Sequence, residues 1–392
     1  MRFRWLLSAF APAALATGAL ALARRPATNG VPTASVAGIR ELDIGFFERR
    51  VREDPSGAID LVRLGGLYLE RFRAEGNEAD LVAGETAARR SLANRAMRNP
   101  GALQLLTAAL LGQHRFPEAK AEAQRLVAQD PDDAVARASL GEIELELGEY
   151  LAADSIFHRL TPQRYKLALA PRYARWLELR GRVGEARRLL ERARAETERH
   201  SPAAVEQLAW FDLRLGELAL RFGATTESRR RLDHGLALVP DQWRLLAARA
   251  RLALATGDLA DAIALGDSSL TRHLDPATLA LVGDAWRGRG DSTQAEQYYR
   301  ALEAAAQGPR GGFHRAWYLA LLDHDRRVSE VLAAVTRDLE TRRDVYGYDL
   351  LAWALFKSHR IPEAQAAMRS ALAWGTEDPL LHNHARAIEA AR

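Results

Sequence analysis

From Glu41 to the C-terminus, apolar residues recur at i, i+3, i+4 and i+7, which places them on one face of an α-helix. No run alternates apolar and polar residues as a half-buried strand does. Glycines and prolines interrupt the pattern at regular intervals. The chain therefore reads as a succession of amphipathic helices, and the predicted fold class is all-α.

The helices themselves repeat. Residues 130–160 read DPDDAVARASLGEIELELGEYLAADSIFHRL. With Ala134 as position 1, Leu140 is 7, Gly141 is 8, Gly148 is 15, Tyr150 is 17, Ala153 is 20, Phe157 is 24 and Leu160 is 27. The preceding unit starts 34 residues earlier, at Pro100, and places Leu106 at 7, Phe116 at 17, Ala119 at 20, Leu126 at 27 and Pro131 at 32. Units starting at Leu167, Ala209, Trp243, Pro276 and Val345 keep the phase, with Ala174, Gly216, Ala250, Gly283 and Ala352 at position 8. Each residue type has a physical reason. A small residue at 8 meets a small one at 20, so two helices approach closely. Large residues at 4, 7, 11, 24 and 27 fill the seams. Glycine near 15 turns the chain, and proline at 32 ends the second helix because it lacks an amide hydrogen.

This pattern resembles the tetratricopeptide repeat (TPR). The resemblance implies a right-handed superhelical solenoid of about eight helix-turn-helix repeats plus terminal half-units, with helix A of each pair on the concave face. Two units are irregular. The one from Ala58 needs 42 residues to reach the next start, which suggests an eight-residue insertion near 74–84. The unit at 313–343 has no small residue at 20 and reads as degenerate. Residues 41–55 resemble an unpaired helix B, and 379–392 a closing helix.

Ahead of the repeats, residues 1–23 carry Arg2 and Arg4, then an apolar run from Leu6 to Ala23 ending Ala21-Leu22-Ala23. These marks fit a secretory signal peptide. With Trp5 the run is also long enough for an uncleaved anchor, so a membrane tether through 5–23 is the alternative. Either reading implies export, to the periplasm or beyond. Residues 24–40 read as a flexible linker, and 41–392 as the solenoid.

Composition changes little in this picture. Of 392 residues, 48% are hydrophobic and 27% charged, enough for a buried core. The net charge is only +4, and Lys120, Lys166 and Lys357 are the only lysines. Acids and bases alternate, so no nucleic-acid partner is expected. The absence of cysteine excludes disulfides, thiolate nucleophiles and cysteine-based metal sites. No P-loop, HExxH or dinucleotide glycine pattern is present, so no cofactor is expected and the chain does not read as an enzyme. Gly266-Asp267-Ser268-Ser269 has an esterase-like look, but it falls inside a helix B rather than on a strand-to-helix turn. His324, His382 and His384 read as solvated rather than metal-binding, because His382 and His384 leave different faces of a helix.

In TPR proteins the ligand is usually an extended peptide or a helix, contacted by helix-A positions 2, 5, 9, 12 and 13. Position 9 gives Glu142, Arg175, Glu217, Arg251 and Asp284, alternating in sign. They form either a polar groove for a ligand or an internal ladder, each charge neutralising the next unit. Trp353 and Phe356, at 9 and 12 of the last full unit, are either peptide anchors or packing for the terminal helix. The candidate ligand-binding residues are Trp353, Phe356, Lys357, Tyr346, Arg251 and Arg175. The expected role is a non-catalytic scaffold for a protein or peptide partner. The alternative is self-assembly through the solenoid ends, motivated by Leu380, Leu381 and Ile388 on the last helix.

Overall fold

The computed structural model describes residues 36–201, 203–306 and 315–391. The signal-peptide or anchor reading of 1–23 lies outside them. Among the described residues there are twenty α-helices and no strand. They are α1 (Val36–Glu53), α2 (Ala58–Glu75), α3 (Glu78–Asn94), α4 (Pro100–Gly112), α5 (Phe116–Gln129), α6 (Ala134–Leu147), α7 (Tyr150–Arg159), α8 (Ala170–Leu179), α9 (Val183–His200) and α10 (Val205–Arg221). Then come α11 (Thr225–Leu238), α12 (Trp243–Ala255), α13 (Leu259–Leu270), α14 (Pro276–Gly288), α15 (Ser292–Ala306), α16 (Arg315–Asp323), α17 (Val328–Asp338), α18 (Val345–Lys357), α19 (Ile361–Leu372) and α20 (Pro379–Ala390). Each even-numbered helix from α2 to α18 is a helix A, and the odd-numbered helix after it is its helix B.

The turn between helices A and B is left-handed at position 15. Gly148, Gly181, Gly223, Gly257 and Gly290 have φ between 70° and 85°. Where glycine is missing, His114, Asp325 and His359 take the same conformation at φ 55–59°. Asp325 thereby fixes the phase of the degenerate unit, which its side chains had hidden.

Position 20 is fully buried in unit after unit, as at Ala119, Ala153, Ala186 and Ala364. The partner of position 8 is different from the one the spacing predicts. A Cβ at Gly141 would meet the Phe157 ring at 2.9 Å, one at Gly216 the Leu232 side chain at 2.7 Å, and one at Gly283 the Tyr299 ring at 2.5 Å. All three neighbours are at position 24. A long helical side chain points back toward the helix N-terminus, so residue 24 covers the surface one turn earlier, beside residue 20. Glycine at 8 makes room for that side chain.

The 42-residue first unit holds no inserted loop. Helices α2 and α3 run to 18 and 17 residues, against 14 in α5 and α6. Gly76, at φ 80°, turns between them four residues late. The extra length is helix. The closing helix α20 also differs from expectation: Leu381 and Ile388 are 0% and 1% exposed, buried with α18 and α19 in the largest core cluster. Two of the three residues that motivated end-to-end stacking are thus covered, while Leu380 is only partly buried.

Helices one superhelical turn apart also touch, and the contacts share a logic. The last carbonyls of a helix have no partner within it. The Arg73 carbonyl of α2 accepts from Arg244 Nη1 at 2.7 Å, and the Leu147 carbonyl of α6 accepts from the Arg343 amide at 3.0 Å. The Leu179 carbonyl of α8 accepts from Thr376 Oγ1 at 2.8 Å. Tyr150 stacks on Trp374 at 4.7 Å, and Arg342 donates to the Glu146 carboxylate at 2.8 Å. At the N-terminal end, buried Arg40 of α1 reaches Glu206 of α10 at 3.1 Å. At three helix ends of the first turn, the seating donor thus comes from the second.

Candidate functional site

This winding encloses a central cavity of about 720 Å³. Four consecutive A helices, α6, α8, α10 and α12, supply one side. Arg315 of α16, Tyr346 of α18 and the start of α20 supply the other.

Tyr346 organises the far side. Arg315 lies over its ring at 3.8 Å, and Arg175 at 5.1 Å. Arg175 Nη1 donates to the Tyr346 hydroxyl at 3.3 Å, and that hydroxyl donates to Asp378 Oδ2 at 3.1 Å. Burial pulls the Arg175 pKa down, but Tyr346, Glu146 and Glu178 outweigh it, and the net shift is upward. The group stays a cation. On the near side Glu178 sits between Arg214 at 3.3 Å and Arg221 at 3.6 Å, and Glu217 pairs with Arg214 at 3.1 Å. Arg251 is exposed and makes no hydrogen bond or ion pair among the described residues. Trp210 is 37% exposed and faces the same space.

The lining acids are each bound by a base. Glu142 accepts from Arg172 at 2.8 Å and Glu146 from Arg342 at 2.8 Å, both from outside the lining. Arg251 has no carboxylate and Arg175 has only the neutral Tyr346 hydroxyl, while Arg315 reaches Asp349 at 3.7 Å. The lining thus balances five carboxylates with five guanidiniums, and Arg251 is the one among them left without a hydrogen bond or ion pair among the described residues.

The six predicted residues separate into two groups. Arg175, Arg251 and Tyr346 line the cavity. Trp353, Phe356 and Lys357 do not. Trp353 stacks on His384 of α20 at 4.2 Å and on Phe356 at 5.0 Å, and its Nε1 donates to Asp323 at 2.8 Å. Lys357 pairs with Asp325 at 2.8 Å and lies over the Trp353 ring. The position-9 ladder takes another form. Glu142 pairs with Arg172, Glu217 with Arg214 and Asp284 with Arg287, so the partners sit at positions 6 and 12.

His384 is buried, with Nδ1 2.8 Å from Asp349, and the His324 side chain is 7% exposed, so neither is solvated. Among the described residues no group of three or more His, Cys, Asp or Glu is placed to hold a metal ion. None of their helices is long and apolar enough to cross a membrane.

No family model matches the chain, and no curated protein matches it in sequence. Solved structures do. A crystal structure of the APC/C hetero-tetramer Cut9–Hcn1 aligns over 90% of this chain and 59% of its own at 15% identity and a TM-score of 0.50. The fold is tetratricopeptide-repeat-like. Shorter likenesses include a tetratricopeptide repeat protein from Parabacteroides merdae, covering 66% of this chain and 97% of its own at 16% identity and a TM-score of 0.44. PilF of Pseudomonas aeruginosa covers 57% and 95% at 18% identity and a TM-score of 0.42.

In TPR terms, Trp210 and Tyr346 are position 2, Arg175 and Arg251 position 9, and Glu178 position 12. The helix-A register predicts Trp210 as readily as Arg251, and the sequence reading passed over it. Arg315 lay in the unit whose phase was unreadable. Asp378 comes from the next superhelical turn, which no repeat register reports.

Proposed function

We propose that the protein is a non-catalytic scaffold that holds a segment of a partner protein in its central cavity. The observation that carries this reading is the coincidence of the cavity lining with the TPR contact positions: Trp210, 37% exposed, and Arg251, an exposed cation with no hydrogen bond or ion pair among the described residues, line the same cavity. An exposed aromatic and an unneutralised arginine lining one cavity have the composition of an interface anchor. Arg175 of α8 extends that side of the contact surface, and Tyr346 of α18 faces it from the other. Arg251, with no acid of its own, favours a segment that brings a carboxylate. Trp353, Phe356 and Lys357 serve the packing of α16, α18 and α20 in this reading. An exported location, periplasmic or membrane-tethered, follows from the apolar N-terminal run.

The test is affinity purification of the tagged chain from its own host, beside a Trp210→Ala/Arg251→Glu variant with an unchanged melting curve. Co-purifying proteins identified by mass spectrometry should include one that the variant loses. Identical sets from both proteins would overturn the cavity as the binding surface.

A further inference from the structure

Helix α7 is ten residues long, while the B helices α5 and α11 have fourteen. Pro162 explains the early stop: it has no amide hydrogen to offer the carbonyl four residues back. From Leu160 to Leu169 the chain instead crosses to α8 through a short 3-10 helix (Thr161–Gln163) and turns, and Tyr165 stands 44% exposed on it. The missing helical turn leaves a cleft of about 580 Å³ between this segment, α8 and the flank of α9. No residue of the cleft lines the central cavity.

The cleft has an unusual charge distribution. Arg164, Arg182, Arg188 and Arg192 line it, with Trp176 as an apolar wall. Its one carboxylate is Glu185, which Arg182 grips with two hydrogen bonds at 2.7 and 2.8 Å. Those bonds from Arg182, with Arg188 and Arg164 adding at longer range, hold Glu185 below the usual carboxylate range. None of the other three guanidiniums is within ion-pair distance of an acid among the described residues. Arg164 donates to the Thr161 carbonyl at 2.6 Å and to the Tyr165 hydroxyl at 2.9 Å. Arg188 and Arg192 make no hydrogen bond or ion pair among the described residues. The Tyr165 ring holds Arg164 and Arg192 together, at 4.3 and 4.1 Å from its centroid. Lys166 lines the adjoining hollow, bonded only to the neutral Gln163 at 2.7 Å.

A single ring that positions two guanidiniums with no carboxylate between them holds like charges near each other. Bringing an anion between them turns that repulsion into attraction. Arginine's planar fork of donors matches phosphate oxygens two at a time, and a cleft of this volume is within the range of small-ligand sites. We propose that this cleft binds a phosphate-type dianion, either a free phosphomonoester or the phosphate of a lipid headgroup, held by Arg164, Arg188 and Arg192. The site is independent of the central cavity and of the partner proposed for it.

Calorimetric titration of the full chain with glycerol 3-phosphate tests the soluble source. Co-sedimentation with phosphatidic acid/phosphatidylcholine vesicles tests the headgroup. The variants are Arg164→Gln/Arg192→Gln, Arg188→Gln, and Arg90→Gln/Arg229→Gln as a charge-matched control from exposed positions elsewhere. Saturable binding should weaken by about tenfold or more in the first two and stay unchanged in the control, with equal melting temperatures throughout. Binding of glycerol 3-phosphate alone identifies a soluble ligand, and binding of vesicles alone identifies a headgroup. No saturable binding to either, or equal losses in the control, would overturn the proposal.

Discussion

At Asp338, on α17, one carboxylate oxygen is buried without a hydrogen-bond partner. Burial raises its pKa to about 6, against the opposing pull of Arg342 and Arg337. A carboxyl whose folded pKa lies above its unfolded value binds protons more tightly when folded. Its favourable contribution is complete below about pH 4 and disappears as pH rises through about 6. Asp338→Asn should therefore stabilise the protein at pH 8 by about 1 kcal/mol after allowance for solvent screening. The gain should vanish by pH 4. Urea denaturation at both values checks the sign, and an equal gain at both would show that charge burial is not the cause. Other single residues were legible from the repeat alone. Alanine at position 20 is buried because two helices must approach there. The side chain over glycine at position 8 was misassigned because spacing gives a residue's height on the helix, whereas reach depends on which way its side chain leans.

Among the elements, type was readable throughout, since a run of 3.6-residue period leaves little choice of structure, but number was one pair short: about eight pairs were expected, and α2 to α19 make nine. Their lengths were less so. Counting residues between repeat marks locates surplus but does not say whether it is loop or helix. In α2 and α3 it is helix, because Leu69, Phe72 and Leu81 continue the buried face into the added turns. The last helix shows what a half-unit contributes. Leu381 has no exposed surface and packs in the cluster that joins α8, α9, α18 and α19. Leu381→Ala should cost about 2–5 kcal/mol, the range for a buried leucine that leaves a cavity. Urea denaturation followed by circular dichroism measures it. A cost below about 1 kcal/mol would mean that α20 is docked loosely and does not close the solenoid.

The molecule as a whole is a coil whose successive turns are fastened together, and this was invisible in the sequence. Nearest-neighbour packing recurs every 33 to 42 residues and leaves a periodic trace. The hydrogen bonds between turns join residues 166 to 197 positions apart and use whatever donor stands opposite a helix end. Gly148 lies on that join. It has φ 80°, and a Cβ there would overlap the Arg343 carbonyl. Gly223 has nearly the same φ, 79°, and open space around it. Alanine at Gly223 should cost about 1–2 kcal/mol, the penalty of the left-handed conformation alone. Gly148→Ala should cost more and also enlarge the radius of gyration measured by X-ray scattering, with helicity retained. An unchanged radius would show that the turns stay fastened without that contact.

The same join sets a timetable for synthesis. Each helix pair finds its neighbour within one repeat of leaving the ribosome, so the early solenoid grows in order. The carbonyl of Leu147 must wait until Arg343 has been made. At about 5–20 residues per second, that delay is on the order of 10–40 seconds. Throughout that interval the nascent chain is a loose spiral whose inner face is open along its length, and the residues that become the cavity wall are reachable from the side. A partner or a chaperone arriving during translation meets a surface that the finished protein presents only after its second turn has closed over the first.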